Sequence, residues 1–222
     1  DDPRMPTLTG LRARGIPAQA LKNFCEAVGV AKANSEIESG YLEHFVRDYL
    51  NEHAERAMAV INPIKVIIEN YEGEETLDFD CMPQTENGPV RKIGFSKELY
   101  ISAEDFSDNP PPKFFRLKPD GYVRLKNAYI IKCEKVEYAE NGAIDRLICS
   151  YIPESKSGHD NSGMKVKGTI QWVDAATAKD VVIKKYDYLL KDAEYPNQDF
   201  SERMNYDSVH VYRGKAEPYL AE

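Results

Sequence analysis

No apolar run in the 222 residues approaches the ~18 that a membrane-spanning helix needs. The first residues, Asp1-Asp2-Pro3-Arg4, offer neither a basic nor an apolar leader segment, so no signal peptide is read there. An initiator Met is missing too, which reads as a mature or truncated chain. The cysteines number only 4, and Cys25, Cys81, Cys133 and Cys149 form no C-x-x-C pair. Cys25 and Cys133 fall inside apolar patterns, which favours reduced core thiols over disulfides or a zinc site. The histidines are as sparse. His44 and His53 miss the i, i+4 spacing of a zinc helix, while His159 and His210 stand alone, so no metal ligand is assigned. There is no strand–Gly-rich loop–helix unit to cradle a nucleotide phosphate, and no G-x-S-x-G elbow. Carboxylates are plentiful, and a catalytic pair of them is neither indicated nor excluded. No catalytic residue is assigned, and the chain reads as a recognition module.

What is present is a soluble globular composition, 42% hydrophobic and 30% charged, with a net charge of −8. So acidic a chain is no general coat for nucleic acid, and a binder on this background would need local basic islands. Helical periodicity comes first. Pro17 opens a pattern in Ala20, Leu21, Phe24, Cys25 and Val28 that Gly29 closes. Ser35-x-x-Glu38 reads as a capping box before a second helix, with Ile37, Tyr41, Leu42, Phe45, Val46, Tyr49 and Leu50 as its buried stripe and an acidic, solvated outer face.

From Ala57 onward the pattern changes to short β-like runs, at 64–69, 75–81, 98–102, 114–117, 122–126, 129–138, 144–151, 165–173, 181–186 and 208–212. Asn141-Gly142 between two alternating runs predicts a two-residue hairpin. So many strands exceed one small barrel, and two barrels or sandwiches behind a helical cap fit better.

One stretch is out of character. Residues 113–132, K-F-F-R-L-K-P-D-G-Y-V-R-L-K-N-A-Y-I-I-K, set six cations against the single acid Asp120 and interleave Phe114, Phe115, Tyr122 and Tyr129. Pro119-Asp120-Gly121 predicts a turn with Gly at the positive φ, and so a hairpin joining 114–117 to 122–126. Cations and rings on a β surface suit phosphates and splayed bases. The other reading is an edge hairpin whose lysines only discourage aggregation.

The opening D-D-P-R-M-P-T-L-T-G-L-R-A-R-G closely resembles the segment that follows the flexible catalytic loop of bacterial-type glutaminyl-tRNA synthetases. The likeness continues in N-E-H-A-E-R-A-M-A-V-I-N-P-I-K-V-I-I-E-N at 51–70, V-R-L-K-N-A-Y-I-I-K at 123–132, K-V-K-G-T-I-Q-W-V-D-A at 165–175 and G-K-A-E-P-Y-L at 214–220. Eukaryotic-type glutamyl-tRNA synthetases are similar in the D-D-P-R opening and are the rival within the family. A β-barrel protein-interaction module with no RNA role, supported by the net charge and the acidic helix face, is the rival outside it.

The resemblance implies a fragment of α+β, mainly β, class: an N-terminal helical subdomain at 1–56, then two antiparallel β-barrels. The distal barrel, at 98–174, is inserted in the proximal one, at 57–97 and 175–222. It implies recognition of the anticodon of tRNA(Gln) within an ATP-dependent glutamine–tRNA ligase. No H-I-G-H-like or K-M-S-K-S-like motif occurs here, so ATP and Mg would belong to a catalytic domain outside the chain, and no cofactor to the fragment. A monomeric cytoplasmic protein engaging neither membrane nor DNA is expected. Position by position, Arg56 falls where the family reads the middle anticodon base, and Arg116 where it reads the third. Arg124 matches the first of two arginines near the first base. The second is Lys126, which keeps the charge and loses the planar fork. Phe115 replaces a family lysine, Arg213 stands where enterobacterial enzymes have a glutamine, and Asn51 corresponds to a loop-backbone contact.

Overall fold

The computed structural model describes residues 2–32, 36–191 and 199–221. Among them the chain is α+β and mainly β. The helices are α1 (Leu8–Ala13), α2 (Ala18–Val28), α3 (Ser39–His53) and the short α4 (Phe200–Arg203). The strands are β1 (Ala59–Ile61), β2 (Pro63–Ile68), β3 (Glu75–Asp80), β4 (Val90–Phe95), β5 (Glu98–Ser102), β6 (Tyr122–Leu125), β7 (Ile130–Tyr138), β8 (Ile144–Tyr151), β9 (Thr169–Ile170), β10 (Val173–Asp174), β11 (Lys179–Tyr186) and β12 (Val209–Ala216). No helix among the described residues is long and apolar enough to cross a membrane. The chain divides into two compact bodies. Among the described residues, 2–32, 36–55, 82–88, 184–191 and 199–211 form the first, and 56–81, 89–183 and 212–221 the second.

In the first body the D-D-P-R opening is a brace. The Asp2 carboxylate accepts the Arg4 backbone N–H at 2.9 Å and its guanidinium Nη2 at 2.5 Å, while Nη1 donates to Ser208 Oγ at 2.9 Å. Those bonds from Arg4 hold Asp2 down to about 2. Gly10 makes the turn possible, because a Cβ there would lie 2.3 Å from the Met5 carbonyl oxygen. Thr7 caps α1 by accepting the Gly10 N–H at 3.0 Å. Pro17 stands just before α2, and Gly29 ends it at φ 70°. Phe24 of α2 then meets Tyr41 and Phe45 of α3 edge to face, at 5.9 and 6.1 Å.

The second body is organised on a seven-stranded sheet of order β10-β5-β2-β8-β7-β6-β9. β2 runs antiparallel to β5 and parallel to β8, and β8, β7 and β6 follow antiparallel. The alternation of β2, P-I-K-V-I-I, buries Ile64, Val66 and Ile68 on one face. β3 and β4 form a separate antiparallel pair, and β1 joins β12 and β11 in a three-stranded sheet. Trp172 is wholly buried, edge-on to Phe79 and Phe95 at 6.2 and 5.1 Å, and its indole N–H donates to the Lys126 carbonyl at 2.9 Å.

Several local expectations change. α3 starts at Ser39 with Glu38 as its N-cap and no side-chain cap bond. The proposed partner Ser35 lies outside the described residues. The expected stripe of α3 holds no fully buried residue, and Ile37 and Tyr41 are exposed. Cys25 is exposed as well, whereas Cys81, Cys133 and Cys149 are buried free thiols. The Asn141-Gly142 hairpin has a three-residue loop, because Ala139 N–H closes on Ala143 O at 2.8 Å, with Gly142 at φ 80°.

Residues 114–117 are not a strand; only Leu117 forms an isolated bridge, to Phe106. Lys113 at φ 67° follows the Pro110-Pro111-Pro112 run, and the Phe115 carbonyl is pressed against Gly168, so no ladder forms. The hairpin of this region is therefore β6–β7, turned at Asn127 (φ 54°). Pro119-Asp120-Gly121 does turn the chain, Gly121 N–H to Lys118 O at 2.9 Å, but the positive φ of 55° falls on Asp120. β4 escaped the sequence pattern because Arg91 occupies one of its buried positions.

Candidate nucleic-acid interface

The basic island folds into an open cleft of about 470 Å³. One wall is the 114–116 segment with Lys118. The Asp120–Tyr122 corner forms its end, and residues 164–168 are the opposite wall. The two walls meet through Gly168. A Cβ there would sit 1.6 Å from the Phe115 carbonyl oxygen, so only glycine admits this approach. Gly168 O accepts the Arg124 backbone N–H at 3.0 Å, which ties the second wall to β6.

Arg116 stands at the cleft with its guanidinium held from behind. Nη1 donates to the Glu104 carbonyl at 3.0 Å and Nε lies 3.1 Å from Asp105 Oδ1. Burial raises the Asp105 carboxyl despite the attraction of Arg116. Nearly half the Arg116 side chain faces solvent, where the fork keeps further N–H donors. Phe115 is 51% exposed, so it is not a core residue, and Lys167 Nζ lies 5.2 Å from its ring centroid. Lys165 and Lys167 complete the cation set. Their alternation in K-V-K-G is visible in the sequence, where it predicts part of a strand.

The other expected readers are placed differently. Arg124, on β6, spends its guanidinium within the chain. It donates to Ser155 O at 2.7 Å and Ser157 Oγ at 3.3 Å and pairs with Asp160. Two bonds from Ser162, and then Arg124, hold Asp160 below the ordinary carboxylate range. Lys126, just past β6, is half-buried, and its backbone N–H donates to Ile170 O at 3.0 Å. Arg213 is exposed on β12, where its carbonyl accepts the Asn62 N–H at 2.9 Å. Arg56 is half-buried, with its backbone N–H on Cys81 O at 2.9 Å. Asn51 lies in the last turn of α3, in the first body. Arg116 thus shares the cleft with Lys118, Lys165 and Lys167, while Arg124 and Lys126 lie along β6 and Arg213 and Arg56 lie on other segments. Among the described residues no group of three or more His, Cys, Asp or Glu side chains is placed to hold a metal ion.

Two family models, both described as "tRNA synthetases class I (E and Q), anti-codon binding domain", match residues 54–152 and 169–222. The chain is 49% identical, over 98% of its length, to a glutamine–tRNA ligase of Clostridium perfringens, of which it covers 40%. It is 46% identical over its full length to one of Rhodopirellula baltica, covering 38%, and 45% identical to one of Nitrobacter hamburgensis, covering 40%. The chain therefore spans about two fifths of the length of these curated relatives. With the two models together matching well over half of it, the chain belongs to the family of class I tRNA synthetases (E and Q), in their anticodon-binding domain.

Proposed function

We propose that the chain is the anticodon-recognition part of a glutamine–tRNA ligase, which attaches glutamine to tRNA(Gln) at the expense of ATP. The carrying observation is the cleft at 114–122 and 164–168, where an acidic chain concentrates Arg116, Lys118, Lys165 and Lys167 beside an exposed ring. A splayed base offers its edge to a guanidinium and its face to a ring, and the phosphates around it meet the lysines. Arg116 reads the third anticodon base and Arg56 the middle one. Lys126 serves the first base, and so does Arg124 when its bonds to Ser155, Ser157 and Asp160 give way to the tRNA; Arg213 assists at the middle, and Asn51 touches the loop backbone. ATP and Mg act in a part of the protein outside this chain. The whole protein is a cytoplasmic monomer that engages neither DNA nor membrane.

The partition goes with this reading: a helical subdomain at 1–56, a proximal barrel at 57–97 and 175–222, and a distal barrel at 98–174 inserted within it. Its support is the pairing of β1 with β12, Ala59 opposite Ala216, which joins the two segments assigned to the proximal barrel. A binding titration of the full-length protein tests the function. Glutamine tRNA should bind more tightly than a transcript with a substituted anticodon, and equal binding overturns the proposal. The family description covers E as well as Q. Charging of the full-length protein with glutamine or glutamate separates the two, and the relatives' names favour glutamine.

A further inference from the structure

We propose that Phe115 is a stacking platform for the third anticodon base, and that Lys167 is the residue that positions its ring; this rests on the anticodon reading above. In the resemblance to known synthetases this position carries a lysine, so the ring is a feature of this chain. Three observations carry the assignment.

First, the ring is on offer. Phe115 is 51% exposed and borders the open cleft, which Tyr122, 42% exposed, also lines. A single exposed ring is common enough on protein surfaces to need company before it means anything. Second, it is preorganised. The Phe115 backbone is clamped by Gly168, whose absent side chain is the only reason the two walls can touch. Lys167, the residue before that glycine, places its ammonium over one face of the ring at 5.2 Å. About half of the side chain stays open to solvent, and a ring whose backbone is held loses less freedom when a base settles on it. Third, the next residue is a fixed fork. Arg116 is anchored by the Glu104 carbonyl and by Asp105, and nearly half of it faces solvent. Consecutive residues thus supply a face for a base and donors for its edge, while Lys118, Lys165 and Lys167 supply positive charge for the phosphates on either side.

Charge alone would hold any polyanion, and a ring discriminates. Stacking depends on the planar face of the base, so its loss should be felt as base-dependent affinity and as a change in the optical environment of that base. The measurement uses the full-length protein and a glutamine tRNA transcript carrying 6-methylisoxanthopterin, a fluorescent guanine analogue, at the third anticodon position. The wild-type protein should quench the probe on binding, and Phe115→Trp should quench it as well. Phe115→Leu keeps the apolar bulk but has no planar face. It should lose the quenching and bind about tenfold more weakly, with a salt dependence unchanged because no cation is removed. Lys167→Met should lower the quenching partly and should also reduce the salt dependence.

If Phe115→Leu binds and quenches like the wild type, while the wild type still prefers the cognate anticodon, the platform is wrong and the anticodon reading stands. A wild type that shows no anticodon preference overturns both. Phe115 is exposed, so its variants test recognition without touching the core.

Discussion

Arg91 and Glu217 form a charge pair with almost no access to water: Nε lies 2.8 Å from Oε1, and the two side chains are 5% and 1% exposed. Arg91 also donates to the Asp80 carbonyl at 3.0 Å and lies over the ring of Phe79 at 5.2 Å. Removing one partner of such a pair leaves the other charge buried and uncompensated, at a cost of about 3–5 kcal/mol. Arg91→Ala should therefore lower the urea midpoint sharply. The double variant Arg91→Met with Glu217→Leu should recover most of that loss, because apolar replacements of similar volume leave no orphaned charge. An Arg91→Ala protein with an unchanged midpoint would contradict this account.

Glu75 contributes to the pH dependence of stability with a definite sign. It accepts hydrogen bonds from Tyr129 at 2.6 Å, Tyr71 at 3.1 Å and Lys156 at 2.5 Å. Burial by itself would raise the carboxyl, but the bonds from Lys156 and the two tyrosines outweigh it, and the net direction is downward. A carboxylate depressed in the folded state contributes stability that is complete above the ordinary carboxylate range and is lost as pH falls through its folded value. Denaturant midpoints should thus decline on acidification below that range. Glu75→Gln should be less stable near neutrality and show a shallower acid limb. A parallel decline in both proteins would dismiss Glu75 as a source.

Arg124 fastens residues 155–160 to β6 through Ser155, Ser157 and Asp160. Charge-assisted bonds of this kind are stronger than neutral ones, and here they act mostly on local order. Arg124→Ala should speed amide exchange across 155–160 by at least tenfold while leaving β7 and β8 protected. Arg124→Lys should restore it only in part, since an ammonium cannot span three acceptors in one plane.

Gly168→Ala should be the most disruptive small substitution in the cleft. Its new methyl would collide with backbone, the Phe115 carbonyl at 1.6 Å, and not with the flexible end of a side chain. A loss of about 1–3 kcal/mol is expected, together with weakened binding of glutamine tRNA. Gly142→Ala is the control. That glycine has open space around it, and its strain comes only from φ 80°. A Gly168→Ala protein with wild-type stability would show that the walls can part freely.

The mainly β class, the helical opening and the order of β5, β7 and β8 were legible because apolar alternation and turn residues agree there. Legibility failed wherever a charge or a backbone contact replaced an apolar side chain. β4 hid behind the buried Arg91, and the expected strand at 114–117 dissolved because Gly168 takes the place of a ladder partner. For the same reason the hairpin shifted one turn along, to Asn127. In the site, the concentration of cations and rings at 113–132 was plain from the sequence. The opposite wall was not, since residues 164–168 come from a distant part of the chain and only the fold brings Lys167 over Phe115.

The union of β1 with β12 bears on how the protein comes into being. Ala59 cannot find Ala216 until the more than 150 residues between them have left the ribosome. Pairing so remote in sequence carries a large loop-closure cost, and it forms late and slowly compared with β7–β8 or β3–β4, whose partners are neighbours. During synthesis β1 therefore waits as an unpaired edge, and truncation before Gly214 should leave it exposed to aggregation while the interior hairpins still form.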